Sequence, residues 1–122
     1  MRTWLAWVLI GATLDGRVAL AQPAQIAGIG VSRCTMFNEQ MAASPAIEDY
    51  YFVWAQGFMS GVLLRAESGR DPTVNLVLPE LMPDQQRQFL REYCARNPLR
   101  YYFHGVAALY EKLGGTSMNH LL

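Results

Sequence analysis

The sequence predicts a small all-α domain of four helices, cross-linked by one disulfide and preceded by a cleaved signal peptide. Apolar residues recur at spacings of three and four, which is typical of amphipathic helices. Prolines stand where helices are expected to begin, and the pattern contains no alternation of strands with helices. The chain has 122 residues, a length that suits one domain.

The N-terminus has the layout of a secretory signal peptide over residues 1–21. Arg2 precedes an apolar run that extends to Leu14, and small residues around Ala21 form a cleavage site. The run is too short for a membrane-spanning helix, and a retained N-terminal anchor is the alternative. We expect a flexible leader at residues 22–31, a helical domain at residues 32–115 and a frayed tail at residues 116–122.

Two cysteines, Cys34 and Cys94, are present in the chain. An exported protein reaches an oxidising environment, where an even cysteine count predicts a disulfide. A redox pair or a thiolate nucleophile is the alternative, but the sequence has no Cys-x-x-Cys spacing. We therefore predict a structural disulfide that joins the first helix to the third.

The first two helices are predicted from serine signals at their starts. Ser32 is a candidate N-cap for the first helix, whose inward face would carry Cys34 and Phe37. Ser44-Pro45 has the order of residues that opens a helix, and it predicts the start of the second. Ser68-Gly69 predicts its end, because glycine readily adopts the left-handed conformation that terminates helices.

The second half of the chain predicts a loop followed by two more helices. Residues 70–82 contain prolines and one short apolar run, and we expect an extended loop laid over the core. The third helix should run from Pro83 to about Arg96. The fourth should start at Asn97-Pro98 and stop at Gly114-Gly115. Its apolar positions are Leu99, Tyr102, Phe103, Val106, Leu109, Tyr110 and Leu113.

Two glycines, Gly57 and Gly61, interrupt the second helix one turn apart. Each weakens a helix by about 0.8–1.0 kcal/mol relative to alanine, so their presence needs a reason. The expected reason is helix packing, since a missing side chain lets another backbone approach closely. The alternative is a groove for a partner or ligand, with Trp54 and Phe58 as its wall.

Charge and side-chain chemistry exclude several classes of function. Ten basic residues balance ten acidic ones, which gives no electrostatic footprint for nucleic acid. No polybasic run favours an anionic membrane, so we expect no stable membrane insertion after signal cleavage. His104 has no metal-ligating residue one helical turn away, and Glu48 and Asp49 point to different helix faces. We therefore predict no catalytic residue, no metal site, no cofactor and no enzymatic activity.

Two tyrosine doublets, Tyr50-Tyr51 and Tyr101-Tyr102, stand near the predicted starts of the second and fourth helices. Adjacent helical residues cannot both face the core, so helical phase assigns Tyr51 and Tyr102 inward. Tyr50 and Tyr101 are then left outside, with Arg100 beside Tyr101. Tyrosine and arginine are enriched at binding hot spots, which makes these three residues the candidate partner-binding site.

The region from Cys34 to Leu113 resembles the Tai/Rap-type immunity proteins, which neutralise toxins delivered by type VI secretion systems. The resemblance is carried by "GFMSGV" on the second helix, "MPDQQRQFLREYC" on the third, the turn "RNPLRYY" and the terminal "VAALYEKL". It implies a small exported helical protein that binds another protein, such as a secreted toxin, in the periplasm or outside the cell.

A more distant similarity connects the chain with the HdeA-type periplasmic acid-stress chaperones. These proteins also join two helices by one disulfide and begin with a Cys-x-x-Phe like that of Cys34 and Phe37. They are rich in lysine and acidic residues, whereas Lys112 is the one lysine here. We therefore expect an immunity-type protein first, an acid-stress chaperone second, and a periplasmic enzyme or ligand binder third.

Overall fold

The computed structural model describes residues 25–66 and 69–118, and within them it confirms an all-α fold with one disulfide. The predicted signal peptide lies outside the described residues. Short 3-10 turns precede the first and third helices, at Ile29–Val31 and Pro79–Leu81. The helices are α1 (Cys34–Ala43), α2 (Ile47–Arg65), α3 (Pro83–Arg96) and α4 (Tyr102–Lys112).

Three aromatic rings at the centre of the core bring α1, α2 and α4 together. Phe37 meets Tyr51 edge-on with ring centroids 4.8 Å apart, and Tyr102 lies 5.1 Å and 4.8 Å from these two rings. All three side chains are fully buried, as helical phase predicted for the two tyrosines. Such ring pairs stabilise a core beyond the area they bury, by about 0.5–1.5 kcal/mol each.

The predicted disulfide joins α1 to α3. Cys34 and Cys94 are both fully buried, and their sequence separation is 60. One turn along α1, the Asn38 side-chain amide donates to the carbonyl of Cys94 at 3.1 Å. The start of α1 is therefore fixed to the end of α3 by one covalent bond and one hydrogen bond.

The predicted capping of α1 by Ser32 is wrong. Arg33 is the residue before the helix, and no side chain caps the first turn. The amides of Cys34 and Thr35 instead donate to the carbonyls of Arg100 and Pro98, at 2.7 and 2.9 Å. The turn before α4 thus supplies the acceptors that a serine hydroxyl was expected to provide.

The predicted start of α4 at Asn97-Pro98 is also wrong, because the turn at these residues binds the start of α1. Because two carbonyls of this turn accept from α1, the backbone there does not continue into a helix. The amide of Tyr102 donates to the carbonyl of Ser32 at 2.9 Å, so α4 begins only at that residue. Leu99, predicted to face the core, is 74% exposed.

α2 starts slightly later and ends earlier than predicted. The backbone carbonyls of Ser44 and Pro45 accept from the amides of Ile47 and Glu48, respectively. No side chain caps the start of the helix. The last helical residue is Arg65 rather than a residue near Ser68-Gly69. Glycine does take the expected left-handed conformation at Gly69, with φ of +84°.

The loop between α2 and α3 lies over the core without forming a strand in its described part. Leu76 and Leu81 are partly buried against the core. The fully buried Gln86 of α3 holds both, because its side-chain amide donates to their carbonyls at 2.8 and 2.9 Å. Its oxygen accepts from Gln56 of α2 at 2.7 Å, so one glutamine ties the loop to two helices.

The described parts of the predicted leader and tail pack on the domain, contrary to the expectation of loose ends. The indole of Trp54 lies against Gly28 and Gly30, where an added Cβ would collide with the ring, and it donates to the carbonyl of Ala27 at 3.1 Å. In the tail, Met118 is 4% exposed. Apolar contacts with α2 and the core therefore hold both ends.

The predicted close crossing at Gly57 and Gly61 is wrong. No described atom outside α2's own backbone and the neighbouring residues comes within 4 Å of a Cβ placed on either glycine, and both positions are exposed. The close approach occurs instead at Gly105 of α4, where an added Cβ would lie 2.7 Å from the ring of Tyr93. Periodicity alone does not identify which helix crosses at a small residue.

Breaking the disulfide should lower the free energy of unfolding by about 4 kcal/mol, because the cross-link restricts the unfolded chain. We expect oxidised protein to show no thiol in a thiol titration, and its melting temperature to fall clearly upon reduction. Cys34→Ala/Cys94→Ala should reproduce the reduced melting temperature. Two titratable thiols in the native protein would contradict the bridge.

Alanine at the two open glycines should stabilise α2, by about 0.5–1 kcal/mol each, because it removes backbone freedom without a clash. Gly105→Ala, the matched control, should destabilise the protein by about 1–3 kcal/mol through overpacking against Tyr93. Urea unfolding of Gly57→Ala, Gly61→Ala and Gly105→Ala measures all three. Equal destabilisation in all three variants would contradict the open face.

Candidate functional site

The side of α2 that faces away from the core forms an exposed apolar strip, here called the α2 outer face. Tyr50, Val53, Gly57, Gly61 and Leu64 follow one another at spacings of three and four, which places them on one side of the helix. The three large side chains are 69%, 69% and 85% exposed. This strip carries no charge, and the two glycines leave its centre flat.

The orientation of α2 is set by its opposite side. Tyr51, Phe52, Ala55 and Met59 are buried there. The guanidinium of Arg87 lies over the ring of Phe52, 4.3 Å from its centroid.

Two ion pairs at the start of α2 also hold this helix in its orientation. Asp49 pairs with Arg87 at 2.9 Å, and Glu48 pairs with Arg91. The adjacent carboxylates thus connect α2 to α3, in addition to their favourable position at a helix N-terminus. Apolar burial and ion pairs together leave the outer face towards solvent.

Trp54 and Phe58 do not form the wall of an open groove. Their rings stack with centroids 5.2 Å apart, which keeps the pair predicted from the sequence together. However, the indole is half-buried and covered by the segment around Gly28 and Gly30. Trp54 therefore holds the chain that precedes α1, whereas Gly57 and Gly61, which lie next to it around the helix, are left uncovered.

A second candidate surface lies where α1 and α4 begin, and we call it the arginine–tyrosine surface. It consists of Arg33, Leu99, Arg100, Tyr101 and Phe103. The guanidinium of Arg33 lies 4.9 Å from the Tyr101 ring centroid and donates to the carbonyl of Leu99 at 2.8 Å. Tyr101 in turn stacks on Phe103 at 5.7 Å, while Arg100 is exposed.

The three residues predicted to bind a partner do not share one set of contacts. Tyr50 is exposed as expected and continues into Val53 along α2. Tyr101 is half-buried and makes its ring contacts on α4 and with Arg33. The tyrosines that join the two helices are the buried Tyr51 and Tyr102, so the candidates divide between the α2 outer face and the arginine–tyrosine surface.

His104 has a structural role at the start of α4. Its Nδ1 accepts from the backbone amide of Tyr101 at 3.1 Å, and the residue is buried. Burial, with the nearby charge of Arg100, lowers the pKa of His104 below its usual value. Among residues 25–66 and 69–118, no group of three or more His, Cys, Asp or Glu side chains could hold a metal.

A cleft of about 240 Å³ opens at the other end of α2. Its lining includes Val62, Arg65, Asp71, Thr116 and Met118. Residues 67–68 and 119–122, which adjoin this lining in the chain, lie outside the described residues. The lining of the cleft combines apolar side chains with charged ones.

Asp71 is the polar centre of this cleft. One of its carboxylate oxygens accepts from the amide and hydroxyl of Thr116, and the other accepts from the Tyr110 hydroxyl at 2.9 Å. The Thr116 hydroxyl and other hydrogen bonds lower the pKa of Asp71, whereas burial and the Asp71 carboxylate raise the pKa of Tyr110 to about 12. These contacts tie the loop, α4 and the C-terminal segment together.

Comparisons of the chain with protein-family models, with curated proteins and with solved structures find no match. Within the described residues, no helix combines the length and the apolar character needed to cross a membrane.

Sequence reasoning missed three residues that shape these surfaces. Asp71 and Gln86 act through contacts with segments distant in the chain, and no local pattern marks them. Arg33 precedes a predicted helix and gave no signal of its stacking on Tyr101. The position of Gln86 within "MPDQQRQFLREYC" is the one hint that the sequence offered.

Removing the Asp71 carboxylate should destabilise the protein near neutral pH and matter less in acid. The pKa of Asp71 in the folded state lies below its ordinary 3.8, so the ionised form stabilises the fold above that value. This contribution is lost as the pH falls through the lowered pKa. The melting temperature of Asp71→Ala should therefore approach that of the parent at low pH.

The matched control is Glu111→Ala, which removes an exposed carboxylate from the last turn of α4. Melting curves of the parent and both variants, recorded from neutral pH to strong acid, measure the effect. A constant difference between the parent and Asp71→Ala at every pH would contradict the role of the ionised carboxylate.

Proposed function

We propose that this chain is an exported, non-enzymatic protein of the immunity type, which neutralises a toxin by binding it. The observation that carries the proposal is the α2 outer face. Tyr50, Val53 and Leu64 hold large apolar surfaces in water, along a helix whose opposite side carries the buried Tyr51, Phe52, Ala55 and Met59. Contiguous exposed apolar surface of this kind marks protein interaction sites.

The two glycines give this face its shape. Gly57 and Gly61 leave a flat strip between the larger side chains, and no described neighbour fills it. A helix or loop of a partner can approach such a strip closely, because no side chain keeps the backbones apart. The glycines reduce helix stability, and access for a partner is a reason for their presence that packing within the domain does not supply.

The resemblance to immunity proteins supports a toxin as the partner. Its first motif, "GFMSGV", contains both glycines of the α2 outer face, and "RNPLRYY" contains most of the arginine–tyrosine surface. The residues that carry the resemblance therefore include exposed positions as well as core positions.

Export is supported by the signal-like N-terminus and by the buried Cys34–Cys94 disulfide. Structural disulfides form and persist in oxidising compartments such as the periplasm. We therefore propose a periplasmic or secreted location, where the protein would meet a toxin that acts outside the cytoplasm.

Co-production with a secreted toxin tests the function, and the toxin to choose is one whose gene is found beside the gene of this chain. Cells that direct the toxin to the periplasm should stop growing, and co-production of the full chain should restore growth. A variant without residues 1–21 should fail to protect, because it stays in the cytoplasm. If the full chain gives no protection but prevents aggregation of acid-denatured proteins at low pH, the acid-stress chaperone replaces the immunity proposal.

Val53→Asp should abolish protection and toxin binding, because it places a charge within the apolar strip. The folded state should be unaffected, since the side chain is 69% exposed. Val77→Asp is the matched control, with the same change at a loop position that is 63% exposed. Calorimetric titration of purified toxin measures both variants, and equal affinities would place the binding site away from the α2 outer face.

A further inference from the structure

The end of the molecule that carries the arginine–tyrosine surface has an uneven charge distribution. The five residues of this surface include Arg33 and Arg100 but no carboxylate, and the exposed Glu39 lies outside it, further along α1. The whole chain, in contrast, balances ten basic with ten acidic residues. We propose that the arginine–tyrosine surface binds an acidic segment of a partner protein, in which carboxylates lie beside apolar side chains.

Two carboxylates of the neighbouring helices have partners of their own. Glu92 accepts a hydrogen bond from Gln88 on α3 at 2.9 Å, and Glu48 pairs with Arg91. The first amides of α1 and α4 already donate to the carbonyls of Arg100, Pro98 and Ser32, so the positive charge of this surface comes from its arginines. The side-chain charge of this surface therefore favours an acidic partner.

The arginine at the centre of the surface is held in place before any partner arrives. Arg33 is fixed by the carbonyl of Leu99 and by the ring of Tyr101, and that ring is fixed by Phe103. Side chains that are already ordered lose less entropy upon binding. A guanidinium pairs well with a carboxylate, since two of its N–H groups can donate to the two oxygens.

The apolar component of the partner is indicated by Leu99 and the aromatic rings. Leu99 is 74% exposed and stands next to Arg100, which is also exposed. An acidic segment with leucine or aromatic side chains can bury this leucine while its carboxylates meet the arginines. Arginine and tyrosine are also enriched among residues that dominate binding energy at interfaces.

A protein segment fits this surface better than a nucleic acid does. Nucleic-acid-binding domains present a basic stripe and have an isoelectric point above about 9. This chain has a sequence pI of about 6.7, and the arginine–tyrosine surface carries two arginines rather than a basic stripe. The proposal goes beyond the immunity function, because it holds for any partner with an acidic, partly apolar segment.

The test uses the full exported chain purified from the periplasm and a labelled peptide of alternating glutamate and leucine. We expect measurable binding by fluorescence anisotropy, weakened by added salt and reduced about tenfold when glutamine replaces glutamate. Amide NMR signals of Thr35, Tyr101 and Phe103 should shift during the titration. Equal affinity for the glutamine peptide, no binding of either peptide, or tighter binding of a single-stranded DNA oligonucleotide would overturn the proposal.

Arg100→Glu should weaken binding of the glutamate peptide about tenfold, because it reverses a charge at the surface. The fold should persist, since α1 uses the backbone carbonyl of Arg100 and the side chain is exposed. Arg65→Glu, an equal charge reversal at the far end of α2, is the matched control and should leave affinity within about twofold. If Arg100→Glu lowers the melting temperature, Arg100→Ala replaces it in the binding experiment. An unchanged affinity for the glutamate peptide in a folded Arg100 variant would overturn the placement of the binding site at this surface.

Discussion

The rest of the structure depends on the docking of the α1 start onto the turn between α3 and α4. The Cys34–Cys94 disulfide fixes α1 to α3, and the carbonyls of Pro98 and Arg100 accept from the first amides of α1. Burying a helix start without acceptors would leave amide groups unsatisfied, at a cost of about 1–3 kcal/mol each. The turn removes that cost, and it also places Arg33 over Tyr101, which creates the arginine–tyrosine surface.

α2 connects this core to the proposed function, because its two sides have opposite properties. Tyr51 and Met59 on one side are fully buried, whereas Val53 and Leu64 on the other are exposed together with two glycines. The buried side, the ion pairs with α3 and the Gln56–Gln86 hydrogen bond stabilise the helix enough to tolerate glycine. The exposed side is then free to serve a partner.

The irregular segments are held by single polar residues that accept or donate several hydrogen bonds. Gln86 satisfies two carbonyls of the loop before α3, and Asp71 receives the hydroxyls of Tyr110 and Thr116. Buried or partly buried polar groups of this kind specify one arrangement of a loop, because any other arrangement leaves them without partners. This explains why a loop without a strand covers part of the core in a defined way.

The sequence by itself determined the features that depend on local periodicity and on proline. It predicted α3 from Pro83 to Arg96, the inward phase of Tyr51 and Tyr102, and the single disulfide. The helical period fixes which residues share a face, and Pro83 stands at the first position of α3, so neither prediction needed knowledge of distant segments.

Only the tertiary structure decided which faces are covered and which backbone groups are satisfied from elsewhere. The sequence could not show that Gly57 stays open while Gly105 receives a ring, since that depends on how the helices cross. Nor could it show that α4 begins at Tyr102, because the preceding carbonyls are taken by α1 from far along the chain. Both candidate surfaces depend on these long-range choices, which is why the sequence named Tyr50, Arg100 and Tyr101 but not the surfaces to which they belong.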